Sequence, residues 1–256
     1  METIQLIYKD GDKNTALNKL YKMDDQVISP IEKAKKYNFI GIILFSNQDY
    51  LGAVEQFNTA SKTSSLDATL TSQINLNLAS CYYKKDLYDR SYSYLEKVNT
   101  RTFINKENKN YYKLQLVLGQ QLDKPKDIVT ASINLIGEVR TFSEVENHQY
   151  KDLLVSNFRK LSTTERAYIL DEYKSKKSIT TGYLAKEEAL QRYYMGDRPG
   201  AEDVLSWINS EYSEFEDTAN FIKEFQFRIE NYSKIDVGAV GVILPLSGKK
   251  SVFGKK

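Results

Sequence analysis

The chain has 256 residues, a formal net charge of +2 and hydrophobic residues at 41% of its positions. This composition suits one or two globular domains and excludes wholesale disorder. The 36 basic and 34 acidic residues are interspersed without a basic block, so charge gives no indication of a nucleic-acid partner. Glycine (12) and proline (4) are scarce, which favours an all-α body.

Targeting and cysteine signals are few. No apolar run is long enough to span a membrane, and the opening METIQLIYKDGDKN lacks the basic lead and apolar core of a signal peptide. The helical pattern begins almost at Met1, so we expect the native protein to begin further upstream. Cys81 is the single cysteine, which excludes an internal disulfide, and its apolar surroundings predict a buried core residue.

The clearest pattern lies in residues 34–67, which predict two antiparallel helices joined by a tight turn near Asn47-Gln48-Asp49. Apolar and small residues recur at helical spacing on one face of each helix. They are Tyr37, Ile40, Gly41 and Leu44 in the first helix, and Tyr50, Ala53, Phe57 and Ala60 in the second. We expect the two helices to approach each other closely at Gly41 and Ala53.

Similar hairpins recur along the first half of the chain. Ala16, Ala53, Ser91 and Ala131 occupy the same place in four successive units, at spacings of 37, 38 and 40 residues. Turns are predicted at Gly11-Asp12 and at Lys124-Pro125-Lys126, and Ser29-Pro30 is predicted to begin a helix. A fixed period of this length is typical of stacked helical hairpins.

The framework of Tyr37, Ile40-Gly41, Tyr50, Ala53, Phe57 and Ala60 resembles a tetratricopeptide repeat, with Leu44 in place of the usual tyrosine and Ser65 in place of the closing proline. Leu78-Ala79 and Leu118-Gly119 continue the pattern. The resemblance implies an all-α solenoid of helical hairpins over residues 1–232.

Later elements are less regular. One helical face is predicted between Glu144 and Leu161, and a capping box at Ser162-Thr163-Thr164-Glu165 is predicted to begin the next helix. A turn is predicted at Gly196-Asp197, followed by a helix with a partly buried Trp207. A last helix is predicted over Phe215–Ile229. The run DVGAVGVILPLSG, which begins at Asp236, is typical of a buried parallel strand. We therefore expect residues 233–256 to form a linker and the first strand of an α/β domain that continues beyond Lys256.

Catalytic and cofactor motifs are not matched. Gly248-Lys249 lacks the earlier glycine of a phosphate-binding loop, because Ile243 stands there. His148 is the only histidine and no G-x-S-x-G elbow accompanies it, so neither a hydrolase triad nor a zinc site is predicted. The adjacent carboxylates Asp24-Asp25 and Glu187-Glu188 are interpreted as solvated charges. We expect no enzyme activity and no cofactor.

A binding surface is the remaining candidate. In the resembled repeats the first helix of each pair lines the concave wall, and its side chains that do not pack internally can contact a partner. Here they are Asn38, Ile42, Phe45, Gln73, Asn77, Ser80, Tyr83, Lys113 and Gln120. The alternative is that these residues only contact solvent. The Lys/Arg ring with which some members of that family clamp a terminal carboxylate is absent.

The closing segment bears a second resemblance. Val240–Gly248 and Phe253-Gly254 are similar to the opening of type I periplasmic substrate-binding domains, in which Ser247 and Gly248 would border the ligand cleft. Helical repeats followed by such a domain resemble the bacterial outer-membrane lipoproteins that activate penicillin-binding proteins. That resemblance implies a periplasmic regulator of peptidoglycan synthesis, anchored through a lipid outside this chain. The alternatives are an accessory domain of a solute-binding receptor and a cytosolic tetratricopeptide adaptor.

Overall fold

A computed structural model describes residues 1–64 and 66–232, and throughout these ranges the regular secondary structure is helical, as predicted. A 3-10 helix covers Thr100–Thr102. The α-helices are α1 (Glu2–Lys9), α2 (Lys13–Tyr21), α3 (Pro30–Ser46), α4 (Tyr50–Ser61), α5 (Ala68–Lys84), α6 (Tyr88–Leu95), α7 (Asn105–Gln121), α8 (Pro125–Ile136), α9 (Phe142–Glu146), α10 (Lys151–Lys160), α11 (Thr163–Lys174), α12 (Ile179–Tyr194), α13 (Arg198–Tyr212) and α14 (Glu216–Tyr232).

The chain consists of two compact units, and the boundary between them follows Leu184, inside α12. In the first unit each early helix packs on its neighbour in the chain from α1 to α8, and α3 also contacts α5, which contacts α7. In the second unit α13 packs on α14. Among the described residues, none of the helices combines the length and apolar character needed to cross a lipid bilayer. The predicted C-terminal strand lies outside the described residues.

Helix starts follow the predicted capping chemistry. The hydroxyl of Ser29 accepts a hydrogen bond from the Glu32 amide, while the Glu32 carboxylate accepts one of 3.0 Å from the Ser29 amide. Pro30 then occupies the first turn, where no backbone donor is needed. Ser162 and Glu165 form the same reciprocal pair at the start of α11. Both predicted helix starts are therefore confirmed.

One turn geometry recurs in five helical hairpins. A residue with positive φ follows the first helix, and the next amide donates to the carbonyl oxygen five residues earlier, as Asp49 does to Leu44 at 3.0 Å. This bond satisfies a carbonyl group at the helix end. The positive-φ residues are Gly11, Gln48, Asp86, Asp123 and Gly196. These residues give each of the five hairpins a common reference point.

The small residues predicted at helix contacts are all buried. Ala16, Ala53, Ser91 and Ala131 are 0% exposed, which confirms their inward orientation. The hydroxyl of Ser91 donates a hydrogen bond of 2.7 Å to the carbonyl oxygen of Ala79, so this polar residue is satisfied inside the core. Ala16, Ala53 and Ser91 each stand five residues after their positive-φ turn residue, whereas Ala131 stands eight residues after Asp123. The packing position is therefore repeated in the first three units and lies about one helical turn later in the fourth.

Two predicted elements differ from the structure. The single helical face expected from Glu144 to Leu161 is split into α9 and α10, because the chain turns between Asn147 and Tyr150. The turn placed at Lys124-Pro125-Lys126 lies earlier, since Asp123 carries the positive φ and Pro125 is already the first residue of α8. Periodicity alone reveals neither detail. The apolar spacing continues through the first segment, and in the second it does not indicate which polar residue adopts the turn conformation.

Candidate interaction groove

The first helices of three successive hairpins, α3, α5 and α7, present equivalent positions to the same face of the first unit. The three helices can be aligned with one another by counting residues backwards from the positive-φ residues Gln48, Asp86 and Asp123, and we call this alignment the register. Three residues before them stand Phe45, Tyr83 and Gln120, and six residues before them stand Ile42, Ser80 and Val117. These positions lie on one helix face because they are about one turn apart.

A groove with a volume of about 430 Å³ lies along this face. We call it the central groove. Its lining comes from α3, α4, α5 and α7 and consists of Ile42, Phe45, Phe57, Leu76, Asn77, Ser80, Tyr83, Lys84, Asn110, Lys113, Leu114 and Val117. Most of these side chains are aliphatic or aromatic, and the rest supply amide, hydroxyl and ammonium groups. This combination suits a ligand with an apolar anchor and a polar backbone.

Aromatic contacts hold two of the lining side chains in place. The ring of Phe45 packs edge-on against Tyr50, with 5.4 Å between centroids, and Tyr83 packs against Tyr88 at 5.8 Å. Tyr50 and Tyr88 are both the first residue of the returning helix. The same contact therefore supports the groove in two consecutive hairpins, and pairs of this kind stabilise by about 0.5–1.5 kcal/mol beyond their burial.

Two polar residues of the face are bonded to each other. The Asn77 side-chain amide donates a hydrogen bond of 2.9 Å to Oδ1 of Asn38, which joins α5 to α3. Asn38 is only 7% exposed, so this bond satisfies a buried group. The amide of Gln73 donates to Oε1 of Glu107 at 2.8 Å, which joins α5 to α7. These bonds connect the repeated helices to one another across the face.

A second groove of about 580 Å³ adjoins the central one at Ile42, which lines both. It is lined by residues at and before the start of α1, in the middle of α3 and around the start of α5, including Asn38 and Gln73. Its lining carries Glu2 and Asp67 together with Lys35, so both signs of charge are represented. The two grooves therefore differ in charge, since the central groove has lysines without carboxylates.

Eight of the nine residues predicted for the concave face line these two grooves. The central groove contains Ile42, Phe45, Asn77, Ser80, Tyr83 and Lys113, and the second contains Asn38, Gln73 and again Ile42. Gln120 is exposed and lines neither. Ser247 and Gly248, predicted to border a ligand cleft, lie outside the described residues.

The sequence interpretation missed several lining residues, notably Lys84 and Val117. Val117 could have been found from the register, because it holds the position of Ile42 and Ser80. Lys84 stands beside Tyr83 at the end of α5 and could have been found in the same way. The missing signal was the exact turn residue, without which the helices cannot be aligned position by position.

Three of the four adjacent carboxylates interpreted as solvated charges are instead bonded or buried, and only Asp24 is exposed. Asp25 accepts from Nζ of Lys36 at 2.8 Å and from the hydroxyl of Tyr37, and these bonds lower the Asp25 pKa to about 2. Glu188 is 1% exposed and pairs with Nε of Arg192 at 2.7 Å, while Glu187 is 9% exposed. The interpretation was therefore wrong for these three residues, because helical spacing does not reveal partners on neighbouring turns or helices.

The described residues contain no group of three histidine, cysteine, aspartate or glutamate side chains that could hold a metal ion. His148 is half-buried in the turn after α9, where its Nδ1 accepts a hydrogen bond of 3.4 Å from the Tyr150 amide. Cys81 is 0% exposed, and burial raises the pKa of its thiol to about 12. The thiol therefore stays protonated at neutral pH.

No protein-family model matches this chain, and no curated protein matches it significantly either.

Proposed function

We propose that the chain is a protein-interaction scaffold without catalytic activity, in which a tetratricopeptide-like solenoid presents the central groove to a segment of a partner protein. The observation that carries the proposal is the convergence of equivalent positions from α3, α5 and α7 on one groove. An apolar floor can bury an anchoring side chain, while Asn77, Ser80 and Asn110 can bond to a peptide backbone.

The tetratricopeptide-like assignment is supported by the small residues of the first helices. Gly41 and Gly119 each face a large side chain of the returning helix, Phe57 and Ile128. Ala79 holds the position of Gly41, seven residues before the turn residue, and is 0% exposed, whereas Gly119 stands four residues before Asp123. Small residues that let the paired helices approach closely are typical of the packing of such repeats.

The biological setting is proposed from residues outside the described ranges. The similarity of Val240–Gly248 and Phe253-Gly254 to a periplasmic substrate-binding domain supports a regulator of peptidoglycan synthesis. In that setting the partner is a penicillin-binding protein, and the protein is held at the outer membrane through a lipid anchor outside this chain. The buried helical scaffold would fix the groove so that binding orders little of the scaffold itself.

Binding of a purified penicillin-binding protein to the complete chain tests this proposal by biolayer interferometry. Val117→Asp places a charge on the groove floor and is expected to weaken binding by about tenfold or more. Glu55→Lys on the exposed face of α4 is the control, because Glu55 lines neither groove. Equal binding by all three proteins would contradict the use of the groove. Absence of binding by the unmodified chain would contradict the proposed partner.

A further inference from the structure

The central groove carries an unbalanced positive charge. Its lining includes Lys84 and Lys113 and no aspartate or glutamate. Among the residues that the structure describes, neither lysine forms an ion pair. Lys84 and Lys113 are both exposed, so their ammonium groups face solvent at the rim. Two uncompensated cations beside an apolar floor favour a ligand that carries acidic groups.

The register fixes how far apart the two lysines stand. Lys84 lies two residues before the turn residue Asp86, whereas Lys113 lies ten residues before Asp123. Since α5 and α7 are both first helices and pack together, this eight-residue difference is an axial offset of about 12 Å. The lateral spacing of packed helices adds about 8–10 Å. An extended chain covers the combined distance in about four to five residues.

Two apolar residues of the groove lie midway between these charges. Ile42 and Val117 stand six residues before their turn residues, which is halfway between the two lysine positions. An apolar side chain entering there would have one lysine on either side of it along the helix axes. The floor and the two cations thus define three contact points in a fixed order.

We propose, on the basis of the proposed function above, that the central groove binds an extended segment of a partner protein in which two acidic residues, four or five positions apart, flank one apolar residue. The acidic groups pair with Lys84 and Lys113, and the apolar side chain lies against Ile42 and Val117. The contacts use side chains within a segment, so a free chain end is not required. Charge pairing at an exposed rim contributes mainly specificity and association rate.

The proposed binding motif is tested by phage display, in which random twelve-residue peptides are selected for binding to the complete chain. The expected outcome is enrichment of the acidic–apolar–acidic spacing with the unmodified protein. Selection against the Lys84→Glu/Lys113→Glu double variant is expected to replace the acidic positions by basic ones. A synthetic amidated peptide of the enriched sequence is then the probe for fluorescence anisotropy. Its binding should weaken by about tenfold with either single variant and also with rising salt.

Lys85→Glu, at the C-cap of α5, and Lys109→Glu, on α7, are the matched controls, since they make the same charge change outside the groove lining. They should leave the affinity for the probe within about twofold of the unmodified chain. If they weaken binding as much as the groove variants do, the effect comes from net charge and the inference is overturned.

Val117→Asp separates this inference from the proposed function. Selected peptides that lose binding with Val117→Asp but show no acidic preference would overturn the inference and leave the proposed function standing. A selection that yields no peptide sensitive to Val117→Asp would overturn both. Sedimentation of the unmodified chain as a dimer that Val117→Asp dissociates would assign the groove to a second copy, which also overturns the inference.

Discussion

The ring of Phe57 lies directly against the backbone of Gly41, so closely that a methyl group on Gly41 would stand 2.6 Å from the Cε1 atom of Phe57. Phe57 is 1% exposed, and it belongs to the helix that returns against Gly41. Phe57 also lines the central groove, so the packing of one hairpin contributes directly to the proposed binding surface. A change at Gly41 is therefore expected to affect both stability and the groove.

Gly41→Ala is predicted to destabilise the protein by about 1–3 kcal/mol, because the added methyl overpacks against the Phe57 ring. Urea unfolding followed by circular dichroism measures the loss. Glu55→Ala, an exposed change on α4, is the control and is expected to stay within about 0.5 kcal/mol of the unmodified chain. In the Phe57→Leu background the cost of Gly41→Ala should shrink, because the smaller side chain leaves room. An unchanged midpoint for Gly41→Ala would contradict the close contact.

The packing core was predictable from the sequence because small residues recur at the same position in three hairpins and one helical turn later in the fourth. Small residues at Ala16, Ala53, Ser91 and Ala131 are visible as a spacing, and each is 0% exposed. The sequence did not reveal that the α9 and α10 region breaks into two helices, because its apolar positions still fit one helical face. The repeated small residues made the helical hairpins of the first part predictable. The middle of the chain lacks this repeat, so its helix boundaries could not be predicted.

The repeated turn predicts opposite effects for two substitutions. Gln48 has a φ of 66°, a conformation that favours glycine, so Gln48→Gly should stabilise the protein by about 1 kcal/mol. Gly196 has a φ of 84°, and a Cβ there would meet nothing within 4 Å, so Gly196→Ala should destabilise by about 1 kcal/mol through backbone strain alone. Thermal unfolding measures both. Gln48→Ala keeps a Cβ in the same conformation and should be nearly neutral, and a stabilisation equal to that of Gln48→Gly would contradict the explanation.

Charges were the least predictable part of the candidate site. Lys84 and Lys113 line one groove although they are 29 positions apart in the sequence. Asp25 was interpreted as solvated, yet Lys36, eleven residues later, reaches it from α3. Helical periodicity identifies which side chains face the core, but it does not say which charged groups meet across helices. That information depends on the turn geometry that aligns the helices.

The Asp25 network makes stability dependent on pH in the acidic range. Hydrogen bonds from Lys36 and Tyr37 lower the Asp25 pKa from 3.8 to about 2. Because the folded pKa lies below the unfolded value, the stabilisation is present above about pH 4 and is lost as the pH falls towards 2. Asp25→Asn should cost about 1–3 kcal/mol at neutral pH, since it leaves the buried Lys36 without its carboxylate. The measurement is urea unfolding of both proteins across this range.

Asp24→Asn is the matched control for the acidic range. The neighbouring carboxylate of Asp24 is exposed and accepts a hydrogen bond of 2.9 Å from the backbone amide of Gln26. The difference between Asp25→Asn and the unmodified chain should shrink to a small part of its neutral-pH value near pH 2, whereas Asp24→Asn should follow the unmodified chain much more closely throughout. A difference for Asp25→Asn that stays constant from neutral pH to pH 2 would show that the Asp25 charge is not its cause.

The thiol of Cys81 is predicted to be unreactive in the folded protein, because it is 0% exposed and burial raises its pKa to about 12. Both properties suppress the thiolate that attacks a disulfide reagent. Labelling with Ellman's reagent at mildly alkaline pH should therefore proceed only as fast as the first unit opens, and should become rapid in guanidinium chloride. Ser61→Cys in a Cys81→Ala background is the control, since Ser61 is exposed at the end of α4 and its thiol should react at once. Equally fast labelling of folded Cys81 would mean that α5 does not pack as the structure shows.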